Sequence, residues 1–325
     1  MNRVTPRAPT VLALLGPTGS GKSALAMQLA QQHALEIVSV DSAQVYRGMD
    51  IGTAKPTAAE QAAVRHHLLD LREPEAQYSA GEFRRDCLAA IRDITARGRL
   101  PVLVGGTMLY YRAVFRGIAE LPPADPALRA SLDARAATEG WPALHAELAL
   151  RDPQAATRIH ANDAQRIQRA LELLAAGGGG SLGDAWRVGA VPHEDIDWRV
   201  VILEPADRTA LHERLATRLQ AMVAAGFVEE IRRLQARGTL DADSPSMRAV
   251  GYRQLLAFCD GRETFPVACD KALYATRQLA KRQLTWLRSD SLLPPGVSAL
   301  KFDPLDPRTA ERFLAATLQS LAMQP

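Results

Sequence analysis

Cysteine is scarce and scattered in this chain: Cys87, Cys259 and Cys269 among 325 residues. No CxxC pair occurs, which excludes a cysteine-built zinc site and a disulfide framework and leaves three reduced thiols. Long hydrophobic runs are missing too. The longest near the start, Val11 to Leu15, is far short of a membrane span. Two arginines precede it, but it leads straight into a glycine-rich loop rather than a cleavage site. Met1 to Pro9 therefore reads as a loose tail, not a signal peptide. Nor is there a strong excess of charge. Thirty-nine Lys and Arg against thirty-six Asp and Glu leave +3. That mild basicity permits nucleic-acid binding without requiring it. A cytoplasmic monomer with no membrane contact is the expectation.

What is present is an ordinary globular balance, 47% hydrophobic and 23% charged, at a length that suits about two domains. Apolar runs at Val11–Leu15, Leu35–Val40 and Pro101–Val104 predict buried strands. A further short strand, third in chain order, is expected at His67–Leu71. Helices are expected from Lys22 to Gln32, from a capping box at Ser79 and Glu82 to about Arg97, and from about Met108. This βαβ rhythm argues for a parallel sheet covered by helices on both faces. From about Ile118 to Asp197 helical spacing replaces strand signals, and Gly177–Gly180 reads as a flexible turn. Arg199–Leu203 returns as a strand. Helices are then expected across Arg208–Arg237, broken at Gly226, then over Arg248–Phe258 and Val267–Arg288. The residues after about Leu292 are proline-containing and only weakly periodic. The fold expected is therefore α/β: a parallel sheet of the P-loop NTPase kind flanked by helices, with an all-helical insertion. The core would be residues 1–117 and 198–325, and the insertion 118–197.

Gly16-Pro-Thr18-Gly19-Ser20-Gly21-Lys22-Ser23 fits GxxxxGK[ST], with a strand before it and a helix after. Its glycines let successive N–H groups point at one phosphate, and the helix N-terminus adds positive potential. Lys22 can neutralise two phosphates and Ser23 can ligand Mg²⁺. A nucleotide hydrolase also needs a metal-holding acid at the end of a later buried strand. The strand Pro101–Val104 ends instead in Gly105-Gly106-Thr107. The loop therefore says polyphosphate rather than nucleotide hydrolysis.

Asp41 follows the second strand. Residues at carboxyl ends of strands face the ligand crevice of an open α/β sheet. Asp41 is thus expected beside the phosphate loop, at the end of the neighbouring strand. There a carboxylate can accept a proton from an incoming group. A solvated turn aspartate is the ordinary alternative, but the phosphate loop favours the catalytic reading. Ser42, Ala43 and Gln44 follow it, and their polar groups suit a base edge.

The stretch from Val38 through Asp41, Arg47 and Lys55 to Pro56 resembles the signature of the bacterial tRNA dimethylallyltransferases. Four more segments match that family in order: Leu100–Tyr110, Asn162–Glu172, Arg248–Gln254 and Thr276–Arg288. The matches run from about residue 11 to 288, and long motifs in sequence order are far more specific than one phosphate loop. The resemblance implies transfer of a dimethylallyl group from dimethylallyl diphosphate, with Mg²⁺, to the exocyclic N6 amine of the adenosine just 3′ of the anticodon. The acceptors it implies are tRNAs reading codons that begin with U. It assigns Asp41 as general base, Thr107 to the reaction centre, and Lys22 with the rest of the loop to the diphosphate, joined by Arg218. Its RNA contacts are Asp41–Gln44, Thr107, Arg129, Gln165, Arg166, Ile167, Gln168, Arg169, Arg248, Gly251, Tyr252, Arg253, Lys281, Arg282, Gln283, Trp286 and Arg288.

The chemistry of the residues agrees. An adenine amine is a weak nucleophile, so removing its proton as the bond forms is useful work for a carboxylate. Diphosphate leaves only when its charge is neutralised. An anticodon loop is the single-stranded kind of RNA that proteins read most readily, and its bases unstack at low cost. Between Lys271 and Arg288 lie Arg277, Lys281 and Arg282 with no acid among them. A charge run is usually a solvated face, but Trp286 and the missing counter-charges favour a phosphate-tracking surface. Arg65 stands where the family has a proline before His66-His67, and those histidines read as structural. The Gly177–Gly180 run replaces a short family turn. Nothing in the chain can build the zinc finger of the eukaryotic relatives.

Three alternatives stay open on residues alone. A small-molecule P-loop kinase also places an aspartate after strand two, but no arginine-rich lid is identifiable. An adenylate prenyltransferase shares the chemistry, with a free nucleotide as acceptor. A non-catalytic RNA-binding protein sits badly with intact Lys22, Ser23 and Asp41.

Overall fold

The most apolar stretches become the centre of a six-stranded sheet. In the computed structural model, which describes residues 8–119, 121–122, 124–176 and 195–322, the strands are β1 Thr10–Leu15, β2 Leu35–Val40, β3 His66–His67, β4 Leu100–Gly105, β5 Asp197–Leu203 and β6 Ala299–Phe302. All pair in parallel, in the order β3-β2-β4-β1-β5-β6. β2 is buried throughout, and β1 and β4 at all but their first residues. Such strands read as continuous apolar runs because helices cover both faces. Alternate side chains go to opposite faces. Val11, Ala13, Leu15, Val38 and Val40 meet helices α3 (Ala80–Ala96) and α4 (Met108–Arg116). Leu12, Leu14, Leu35 and Ile37 meet α1 (Lys22–Ala30). The Ser79–Glu82 capping box forms as expected at the start of α3.

The chain divides into two compact units, residues 1–116 with 194–325, and residues 117–193. In the second, α5 (Pro126–Glu139), α6 (Trp141–Arg151), α7 (Pro153–Arg158) and α8 (Ala164–Ala175) enclose a core of Leu132, Leu144, Leu148, Ile159, Ile167 and Leu171. The Gly177–Gly180 run and most of the N-terminal tail lie outside the described residues.

After β5 come α9 (Arg208–Ala224), α10 (Phe227–Gln235), α11 (Tyr252–Cys259) and α12 (Phe265–Leu287). Gly226, with φ 99°, separates α9 from α10 as the sequence indicates. Besides the strand expected at His67–Leu71, which is only the two-residue β3, three expectations need correction. Arg248 does not begin a helix: Gly251 takes φ 92°, and α11 starts only at Tyr252. The segment after Leu292 is not featureless, since β6 extends the sheet beyond β5 and α13 (Thr309–Ala322) buries Phe313 in the α1 face. A four-residue edge strand carries too little periodicity to be read locally. Thirdly, β2 is not the neighbour of β1, because β4 lies between them.

Candidate active site at the carboxyl ends of β1, β4 and β2

The turn after β1 is shaped by glycine. Gly19 and Gly21 have φ of 79° and 80°, the left-handed region that side chains disfavour. A Cβ on Gly16 would lie 2.9 Å from the Leu203 carbonyl oxygen. Lys22 opens α1 and folds back, donating to the Pro17 carbonyl (2.7 Å) and to Ser20 Oγ (3.3 Å). Burial lowers its pKa to about 7; nearby Arg218 adds to the shift and Asp41 opposes it. Arg218, on α9, is likewise held below its usual range by burial, again with Asp41 opposing. Lys22, Arg218 and Asp41 therefore feel one another electrostatically. Two half-buried cations with one carboxylate form a site that favours an anion.

Asp41 follows β2 in a tight turn. Its Oδ1 accepts the N–H groups of Ala43 (2.8 Å) and Gln44 (3.3 Å). Its other oxygen accepts no hydrogen bond from the described residues. Thr107 follows β4 and interlocks with this turn. Its N–H donates to the Val40 carbonyl (3.2 Å), and its Oγ1 accepts the Ser42 N–H (3.1 Å). β4 can pass this close because Gly105 has no side chain: a Cβ there would lie 2.1 Å from the Val40 carbonyl oxygen. With β4 between β1 and β2, Thr107 lies between the phosphate loop and Asp41 rather than beyond them. The ends of three adjacent strands thus supply an anion cradle, a hydroxyl and a carboxylate.

The loop beyond Asp41 is held by groups that local sequence reading missed. Glu230, on α10, is 1% exposed. It accepts the N–H groups of Asp50, Ile51 and Gly52 and the Tyr252 hydroxyl. Lys55, also buried, donates to the Tyr46 carbonyl, Asp50 and Asp70. Glu230 sits in an ordinary amphipathic helix, so its only local signal was a carboxylate on the apolar side.

The IPP transferase family model matches residues 44–290. This chain belongs to the IPP transferase family. It is 56% identical over 288 residues to a tRNA dimethylallyltransferase of Bordetella pertussis, a match covering 88% of this chain and 91% of that one. The solved structure of a tRNA isopentenylpyrophosphate transferase from Bacillus halodurans is 35% identical, covers 96% of this chain and 98% of its own, and superposes with a TM-score of 0.65. A eukaryotic dimethylallyltransferase, at 24% identity and TM-score 0.79, shares the fold over 98% of this chain and 81% of its own.

Within this IPP transferase the RNA contacts expected from sequence, apart from Asp41, Ala43 and Thr107 of the turn described above, fall into three groups. Ser42, Gln165, Arg166, Arg248, Arg253, Lys281, Arg282 and Arg288 are exposed. Gln44, Arg129, Gln168 and Arg169 are partly buried and already engaged. Gln44 accepts from Ser39 Oγ (2.8 Å) and donates to the Thr53 and Ala54 carbonyls. Arg129 and Arg169 both reach the buried Glu172, at 3.1 and 2.8 Å. Gln168 donates to Asp133 (2.7 Å). The third group corrects the expectation, because its side chains are committed to the interior. Ile167 and Tyr252 are fully buried and Gly251 lies under Phe227, whereas Trp286, only partly buried against the core, belongs with the second group. Gln283 is 7% exposed and bonds the site's own backbone.

The basic helix needs a second correction. Its missing counter-charges come from elsewhere: Arg288 meets Glu204 (2.6 Å) and Lys271 pairs with Glu263. Lys281 and Arg282 keep no ion-pair partner among the described residues. His66 and His67 are structural, as read: Nδ1 of His66 lies 2.7 Å from the Val64 carbonyl, and His67 Nε2–H donates to Glu36 (2.6 Å). No group of three His, Cys, Asp or Glu residues suited to a metal occurs among the described residues, and no described helix is long and apolar enough to cross a membrane.

Proposed function

We propose that this chain moves a dimethylallyl group from dimethylallyl diphosphate to N6 of the adenosine 3′ of the anticodon, in tRNAs reading codons that begin with U. The observation that carries this reading is the interlocked turn of Asp41 and Thr107 beside a phosphate loop whose neighbouring strand ends without an acid. A hydrolase site would need that acid. A prenyl transfer needs what is there.

The N6–C1 bond forms as the C1–O bond to diphosphate breaks, and that electron pair leaves on the diphosphate. Lys22, Arg218 and the N–H groups of Gly19, Gly21, Lys22 and Ser23 receive its charge, and the N6 proton passes to the open oxygen of Asp41. The Thr107 hydroxyl faces the same turn and holds the acceptor side. Ser23 would hold Mg²⁺ from the protein side, with phosphate oxygens and water free to supply its other ligands. When bound, the ion adds charge neutralisation to the leaving group.

The RNA surface of the first unit is proposed as Ser42, Arg248, Arg253, Lys281 and Arg282. That of the helical unit, residues 118–197, is proposed as Gln165 and Arg166, with Arg129 and Arg169 available if they exchange Glu172 for phosphate. The deciding experiment is mass analysis of tRNA after incubation with dimethylallyl diphosphate and Mg²⁺. The expected result is a gain of one dimethylallyl group on that adenosine. Turnover of ATP onto a small acceptor with no gain on tRNA would overturn the reading.

A further inference from the structure

The hydrogen-bond ladder between β1 and β4 runs in register from Leu12↔Val102 to Leu15↔Gly105. Beyond that pair the two chains diverge, one into the phosphate loop and the other toward Thr107. One side chain bridges the gap. Gln283, from α12, accepts the Thr18 N–H at 2.9 Å with Oε1 and donates to the Gly106 carbonyl at 2.9 Å with Nε2. The amide thus acts as one more rung past the end of the ladder, with its acceptor toward β1 and its donor toward β4. A side-chain amide suits this bridge because it carries an acceptor and a donor on adjacent atoms of one planar head. Gly106 makes room for it: a Cβ there would lie 2.4 Å from Nε2. The neighbours Leu284 and Leu287 are buried in the α3–α4 face of the core, which fixes the height of α12 above the strand ends.

We propose that Gln283 is a positioning residue. It clamps the phosphate loop to the strand end bearing Thr107, and so sets the separation between the leaving diphosphate and the acceptor side of the crevice. It also commits the Thr18 N–H to protein, which leaves the diphosphate to the N–H groups further along the loop. The inference rests on the prenyl-transfer reading for its catalytic consequence but not for the clamp itself. It replaces the direct RNA contact expected of Gln283 from sequence.

The test compares wild type with Gln283→Ala and Gln283→Met. Methionine fills a similar volume and makes neither hydrogen bond, so it separates clamping from space-filling. Binding of inorganic pyrophosphate with Mg²⁺ is measured by calorimetry, binding of an anticodon stem-loop by fluorescence anisotropy, and donor KM and kcat by prenyl transfer. Both variants are expected to bind pyrophosphate about tenfold more weakly and to raise donor KM similarly, with stem-loop affinity within about twofold of wild type. Pyrophosphate affinity unchanged in Gln283→Met, or a loss confined to the stem-loop, overturns the clamp. A wild-type protein that binds pyrophosphate yet transfers no prenyl group refutes the functional reading instead, and the calorimetry still decides the clamp.

Discussion

The two ends of β2 each carry a carboxylate, and they are treated oppositely. Glu36, at the amino end, is 3% exposed and saturated with cations. Arg97 grips it with two bonds (3.1 and 2.7 Å), His67 donates a third, and Arg99 and Arg65 stand at 3.6 and 3.9 Å. Asp41, just past the carboxyl end, spends one oxygen on its own turn and leaves the other without a hydrogen bond among the described residues, in the electrostatic reach of Lys22 and Arg218. Burial works to raise the Glu36 pKa, but the bonds and charges of Arg97 and His67 overcome it and hold the group down at about 2. One carboxylate is fixed for stability, whereas the other stays available to a substrate.

The sharpest way to break this contrast is to remove each charge in turn. Asp41→Asn keeps the turn's acceptor and loses the base. Prenyl transfer at saturating substrates should fall about 10²- to 10⁴-fold with an unchanged melting midpoint. Substantial turnover would show that the proton leaves by another route. Glu36→Gln should do the reverse, costing about 2 kcal/mol of stability in urea unfolding and leaving turnover near wild type. The pH dependence has a definite sign. The Glu36 contribution is fully present above its ordinary 4.5 and is lost as pH falls toward about 2. The stability gap between wild type and Glu36→Gln should therefore close across that window, and a gap that persists into acid would remove Glu36 from the explanation.

Smaller effects separate free from neutralised cations. Lys281→Ala and Arg282→Ala should each weaken stem-loop binding and reduce the slope of log affinity against log salt by about one. Arg288→Ala should change that slope less, because Glu204 already neutralises the charge in the free protein. Equal slopes for all three variants would show that RNA displaces Glu204.

Much of the site was legible locally. A phosphate loop is a contiguous pattern whose glycines and lysine act through the backbone beside them, and Asp41 is marked by its place after a buried strand. Three kinds of feature were not legible. The order of strands placed β4 between the loop and Asp41, and nothing in the β4 sequence says which neighbours it takes. Glu230 and Gln283 act on segments far along the chain; Gln283 and Thr18 are 265 residues apart. The run of positive charge on α12 looked uncompensated because Glu204 and Glu263 lie outside it.

By itself the sequence determined the strand-forming runs, the glycine-built anion cradle, the strand-end carboxylate and the family, since each depends on neighbouring residues or on ordered motifs. The tertiary structure alone decided which of the expected contacts stay exposed. Ile167 and Tyr252 are core, Gln283 is a rung between strand ends, and Arg288 is half of an ion pair. The physical reason is that burial and charge pairing depend on what packs against a residue, and those partners arrive from distant parts of the chain.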